Sequence, residues 1–105
     1  MRDHDFWSVK AKFRLRATTE GGRKNGIKSG YRPNHVFEYR GSNTFSAYMG
    51  EIKFNESESI EPGQEKIVTV RFKPGQPIKE FFTIGRKWWV HEGPILVGEA
   101  EILEI

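Results

Sequence analysis

The sequence predicts a small all-β fold, a barrel or sandwich of five or six short strands, on three observations. Stretches at opposite ends of the chain alternate apolar and polar residues with period two, the mark of a strand with one buried face. Turn residues recur roughly every 8 to 12 positions, the spacing of small all-β domains. No stretch carries a helical period, and the chain holds 11 glycines and 5 prolines.

The first strand is SVKAKFRLRA, residues 8–17. Val9, Ala11, Phe13, Leu15 and Ala17 share one face, and Lys10, Lys12, Arg14 and Arg16 share the other. Thr19 to Pro33, TEGGRKNGIKSGYRP, then reads as a long loop with four glycines. HVFEYR (His35–Arg40) is a second strand, with His35, Phe37 and Tyr39 on one face. Gly41–Thr44 is a turn, and Phe45–Phe54 holds a third strand broken near Gly50. NESESIEPGQ is an acidic loop closing on the turn signal Pro62-Gly63. KIVTVRF (Lys66–Phe72) is a β-branched strand. After the turn KPGQP, Lys79–Ile84 and Lys87–Val90 are short strands separated by Gly85. Gly93-Pro94 breaks the chain before the last alternating stretch, Ile95–Ile105.

The 105 residues amount to one domain, 1–105, with residues 1–7 expected as a flexible N-terminal arm. An aromatic content of 13% argues against disorder, and the absence of cysteine excludes disulfides and thiolate metal sites. No apolar run approaches the roughly 20 residues of a membrane span. The N-terminus MRDHDFWSVK lacks the apolar core of a signal peptide. A soluble, cytoplasmic protein is the expectation. The net charge of +3 is unevenly spread: +6 over residues 1–50 and −3 over 51–105. Such a division permits binding to a polyanion, or a merely dipolar surface.

GGRKNGIKS approaches the phosphate-loop pattern, but Ile27 intrudes before Lys28 and Ser29, and no helix follows. Its glycines then read as turn residues. His4, His35 and His91 have no metal-ligand spacing, and no Ser/His/Asp arrangement or catalytic carboxylate pair is visible. The expectation is a protein that is not an enzyme and carries no metal or cofactor. The cations of the first strand present roughly 20 Å of like charge, which suits phosphates or is a solvated outer face. Trp88-Trp89 sends one indole inward and one outward if it lies in a strand.

Several blocks, in order, resemble the C-terminal β-barrel domain of translation elongation factor Tu. EGGR (Glu20–Arg23) and GYRP (Gly30–Pro33) match that domain's EGGR and GYRPQF. Pro62-Gly63 before KIVTVRF matches its PGD turn and strand, and WWVHEGPILVG (88–98) matches FAIREGGRTVG, with Glu92, Gly93, Val97 and Gly98 identical. The likeness runs from about residue 9 to residue 105. It implies a six-stranded antiparallel barrel. In the family this barrel packs on a GTPase domain, contacts the T stem of aminoacyl-tRNA and binds the nucleotide-exchange partner. Residue matching puts Asn34 at the glutamine after YRP, and Glu92 and Gly93 at the second Glu-Gly, both on the family's tRNA-facing surface. Pro94 and Ile95 replace a Gly-Arg, and the family's GTPase machinery is absent from the chain.

Two expectations follow. One is a stand-alone module contacting tRNA or ribosomal RNA through Lys10, Lys12, Arg14, Arg16, Arg23, Lys24, Lys28 and Arg32, with Asn34, Glu92 and Gly93 added by resemblance. The other is a protein-interaction module that uses the surface docking on a GTPase domain in the family. A structural reading stands beside both: Arg23 and Arg32 tie the loop to carboxylates such as Glu20 or Glu92, and Tyr31 fills the barrel end.

Overall fold

The alternation of residues 8–17 is realised as a strand whose inward side chains are almost fully buried: Val9, Ala11, Phe13 and Leu15 expose 1% or less. The computed structural model describes residues 2–3, 6–41 and 45–105. Among these, the strands are β1 (Arg2–Asp3), β2 (Phe6–Leu15), β3 (Ile27–Lys28), β4 (Asn34–Val36) and β5 (Tyr48–Lys53), followed by β6 (Ser59–Ile60), β7 (Glu65–Phe72), β8 (Lys87–Glu92) and β9 (Ile95–Glu104). Six of them close into an antiparallel barrel in the order β2-β7-β5-β4-β8-β9, with β9 returning to pair with β2. Closure removes the exposed edges that an open sheet of this size would present.

Period-two patterning brings one face of each long strand inside. Val68, Val70 and Phe72 of β7, Trp88 and Val90 of β8, and Ala100 and Ile102 of β9 meet the β2 set in one core. Trp88 is fully buried and Trp89 is half-buried, so the adjacent indoles do point opposite ways. Phe37 stacks between Phe81 and Trp88, with ring centroids 4.9 and 5.0 Å away. His35, also fully buried, is held inside by two bonds. The Trp88 Nε1–H donates to Nδ1 (3.0 Å), so Nε2 carries the proton and donates to the Gly50 carbonyl (3.1 Å).

Five expectations change. Phe6 and Trp7, assigned to a flexible arm, belong to β2, where Trp7 pairs with Phe72; the arm's residues 1, 4 and 5 lie outside the described residues. Gly50 does not break β5 but sits within it, at a place where a Cβ would come within 2.9 Å of Phe72 and 3.2 Å of His35. Lys79–Ile84 is not a strand: Lys79–Phe81 form a 3-10 turn that buries Ile78 and Phe81, three residues apart, on one side. The strand at His35–Arg40 shortens to β4, since Val36 and Phe37 are both buried while Tyr39 is exposed and bridges Phe45. The expected turn residues 42–44 lie outside the described set. The two loops read as strandless also contain a short pair, β3 with β6, which seats Ile27 against Ile60.

No helix among the described residues is long and apolar enough to cross a membrane.

Candidate functional site

The glycine-rich loop is held by its own motif residues. Ala17 leads into a 3-10 turn at Thr18–Glu20, closed by Gly21 at φ +91°, a left-handed conformation that glycine accepts at no steric cost. Glu20 accepts from the Ala17 N–H (2.8 Å) and from Arg14 Nη2 (2.6 Å), and these bonds hold its carboxyl below the usual range. Arg23 donates through Nη1 to Glu92, and its Nε donates to the Asn25 carbonyl at 3.1 Å. The Tyr31 hydroxyl donates to the same Glu92 oxygen, and the Arg23 guanidinium lies 5.2 Å from the Tyr31 ring centre. Burial, reinforced by the Glu92 carboxylate, raises the Tyr31 hydroxyl well above its ordinary value. One node thus joins the EGGR block, the GYRP block and the β8–β9 hairpin. Gly93 (φ +57°) followed by Pro94 makes that hairpin, the glycine-first arrangement suited to a two-residue connection.

The basic stripe on β2 has partners. Because β9 lies beside β2, Lys10 is opposite Glu104, Lys12 opposite Glu101 and Arg14 opposite Glu99. Lys10 Nζ is 3.5 Å from Glu104, and Arg14 Nη1 is 3.2 Å from Glu99. On the other side Arg14 faces Glu65 of β7. Arg16 is half-buried, and its N–H donates to the Val97 carbonyl at 2.9 Å. The shallow groove beside Lys12 and Arg14 pairs those two and Lys87 with Glu65, Glu99 and Glu101, three charges of each sign. The stripe is a mixed-charge ladder rather than a field of like charge.

The remaining sequence-predicted residues divide into two groups. Lys24 and Lys28 are exposed on the loop and have no ion pair among the described residues. Arg32 and Asn34 instead line a groove of about 280 Å³ with Phe6, Pro33, Met49, Gly50, Glu51, Arg71 and Lys73. Arg71 packs over the Phe6 ring (4.3 Å) and bonds Glu51 at 3.2 Å. Arg32 Nε lies 3.5 Å from Glu51, with the Arg32 side chain 80% exposed. Met49 is 56% exposed, and the Gln76 amide clamps its backbone from both sides: Oε1 accepts from the Met49 N–H (2.6 Å), and Nε2 donates to its carbonyl (2.9 Å). Arg32 was legible as a cation of the loop, and Asn34 from the resemblance. Met49 and Lys73 were not, because β5 and the end of β7 meet the loop only in the closed barrel.

A second aromatic cluster covers the outer side of β8. Tyr39 OH lies 2.6 Å from His91 Nε2, and Phe45 packs on the His91 ring at 4.7 Å. His91 is 4% exposed, and burial lowers its pKa. Among the described residues no group of three or more His, Cys, Asp or Glu side chains is arranged to hold a metal ion.

No known family model matches the chain, and no curated protein does.

Proposed function

We propose that the chain is a non-catalytic binding barrel of the elongation factor Tu C-terminal type, and that its principal partner is a protein docked at the groove between Arg32–Asn34 and Met49–Glu51. One observation carries the reading: the apolar floor there stays open and is flanked by the exposed cations Arg32 and Lys73. Lys73 has no ion pair among the described residues, whereas Lys10, Arg14 and Arg23 face carboxylates of the chain itself, as Arg32 faces Glu51. Apolar surface ringed by polar groups, with Arg and Met at hand, is the composition of protein-docking sites.

The test is capture from a cell extract by the tagged chain, with and without nuclease, beside a Met49→Asp variant. Proteins retained after nuclease by the wild type and lost by Met49→Asp are the expected result. Recovery that disappears with nuclease, or that Met49→Asp leaves unchanged, overturns the reading.

A second reading, RNA binding, rests on Lys24 and Lys28, exposed on the loop and unpaired among the described residues. It is narrower than the eight-cation surface expected from sequence, because the ladder on β2 has its own counter-charges.

A further inference from the structure

Among the described residues the rim of the groove carries more cations than carboxylates, and its geometry favours one kind of occupant. Glu51, the carboxylate lining the groove, keeps only 13% of its side chain exposed and is engaged by Arg71 and Arg32. That contact is long for Arg32, 3.5 Å from Nε, and with 80% of its side chain exposed the guanidinium makes no hydrogen bond among the described residues. A guanidinium presented this way suits a carboxylate taken through two parallel bonds. Lys73 adds a second exposed cation on the same rim. Between them the floor is apolar: exposed Met49, the half-buried Phe6 ring, one face of which Arg71 covers, and buried Pro33. The lip is set in advance, since the Gln76 amide also donates to the Lys73 carbonyl at 2.7 Å while it holds the Met49 backbone. Preorganisation of this kind lowers the ordering cost of binding.

We infer that the groove recognises an acidic segment of a protein partner, one that places a Glu or Asp carboxylate on the Arg32 fork and an adjacent large aliphatic or aromatic side chain on Met49 and Phe6. The inference rests on the protein-docking reading above and adds the sign of the charge and the paired apolar anchor. A basic segment would meet Arg32 and Lys73 with like charge, a repulsion that selects against it.

Three end-blocked peptides serve as probes: Gly-Leu-Glu-Glu-Leu-Gly, Gly-Leu-Lys-Lys-Leu-Gly and Gly-Ser-Glu-Glu-Ser-Gly. Each is titrated to about millimolar concentration, where weak docking registers, into the isotope-labelled chain. The readouts are the Met49 methyl, the Gly50 amide and the Arg32 Nε–H resonances. The expected result is saturable shifts at these positions with the acidic leucine peptide and none with the lysine peptide. The acidic serine peptide should bind at least about tenfold more weakly than the acidic leucine one, because it buries no large apolar side chain. Arg32→Ala should weaken the acidic leucine peptide by about tenfold or more, the worth of a charge-assisted hydrogen bond. Lys73→Ala provides a second, independent loss.

Equal or tighter binding by the lysine peptide overturns the acidic preference but leaves a docking groove standing. Binding by the serine peptide as strong as by the leucine peptide removes the apolar anchor. No shift with any peptide, together with capture that Met49→Asp does not alter, ends the docking reading itself. A wild-type spectrum for Arg32→Ala and Lys73→Ala without peptide shows that any loss is one of binding.

Discussion

Arg23 and Arg32 occupy equivalent-looking places in TEGGRKNGIKSGYRP, and the structure gives them different work. Arg23 bonds the Glu92 carboxylate and two loop carbonyls and packs on Tyr31, so its removal leaves Glu92 short of one donor and the loop short of its tie. Arg23→Ala is expected to lower stability by about 1–3 kcal/mol, the cost of breaking a partly buried charged hydrogen bond. Arg32→Ala is expected to stay within about 0.5 kcal/mol of the wild type, since an exposed ion pair is worth little. Chemical denaturation of both variants measures the contrast. Equal losses would mean that Arg32 is a second tie.

His35 makes the second residue-scale prediction. Burial drives its pKa down to about 4, offset in part by the Gly50 carbonyl, which favours the protonated ring. The unfolded chain protonates this group near its ordinary value of about 6.5. The folded pKa is the lower one, so His35 contributes stability above about pH 6.5 that is lost progressively as pH falls towards 4. The loss amounts to about 3 kcal/mol if His35 acts alone, and the lowered pKa of His91 adds to it with the same sign. The midpoint of urea unfolding should therefore fall steadily from neutral pH to about pH 4. Nitrogen NMR of the imidazole should show a single Nε2–H tautomer at neutral pH, giving way to the doubly protonated ring only as pH approaches 4. A flat stability profile would contradict the buried, neutral histidine.

At the scale of elements, the closing contact between β2 and β9 is the demanding one. Gly98 lies opposite Leu15, and a Cβ there would come within 2.7–2.8 Å of the Phe13 ring and 2.9 Å of the Arg14 carbonyl. Those neighbours are a fully buried ring and backbone, and neither yields easily. Gly98→Ala is therefore expected to cost about 1–3 kcal/mol, the usual penalty for overpacking, measured as a lower thermal midpoint. An unchanged midpoint would show that the barrel seam has slack. Gly93, two residues before Ile95, differs: nothing lies within 4 Å of a Cβ there, and its constraint is the positive φ alone.

Across the whole molecule, the basic and acidic halves of the chain do not form two faces. The first long strand and the last are neighbours, so +6 in one half and −3 in the other interleave as cross-strand pairs. This bears on RNA binding. If all eight sequence-predicted cations met phosphates, the logarithm of affinity for tRNA would fall against log salt with a slope of about −7. With Lys24 and Lys28 as the contacts the slope is expected near −2, and a Lys24→Glu/Lys28→Glu variant should abolish it. A fluorescence titration at several salt concentrations decides. A slope steeper than about −5 would mean that the β2 ladder opens to receive the nucleic acid.

The sequence by itself determined the long strands and which of their faces is buried. Period two fixes a strand's inner face locally, as Val9 to Leu15 and Val68 to Phe72 show. The Glu20, Arg23 and Glu92 blocks could be read in advance for the same reason, being short runs of neighbouring residues. Isolated Ile27 and Ile60 were the available signals for the β3–β6 pair, but one apolar residue in a polar loop carries no period. Only the tertiary structure decided what faces what. Barrel closure set Lys10 against Glu104 and Arg14 against Glu99, turning an apparent phosphate stripe into a ladder. It also brought Phe6, Arg32, Met49 and Lys73 to one groove. Those pairings join residues far apart in the chain, and their cause is the order of strands around the barrel, which no local pattern encodes.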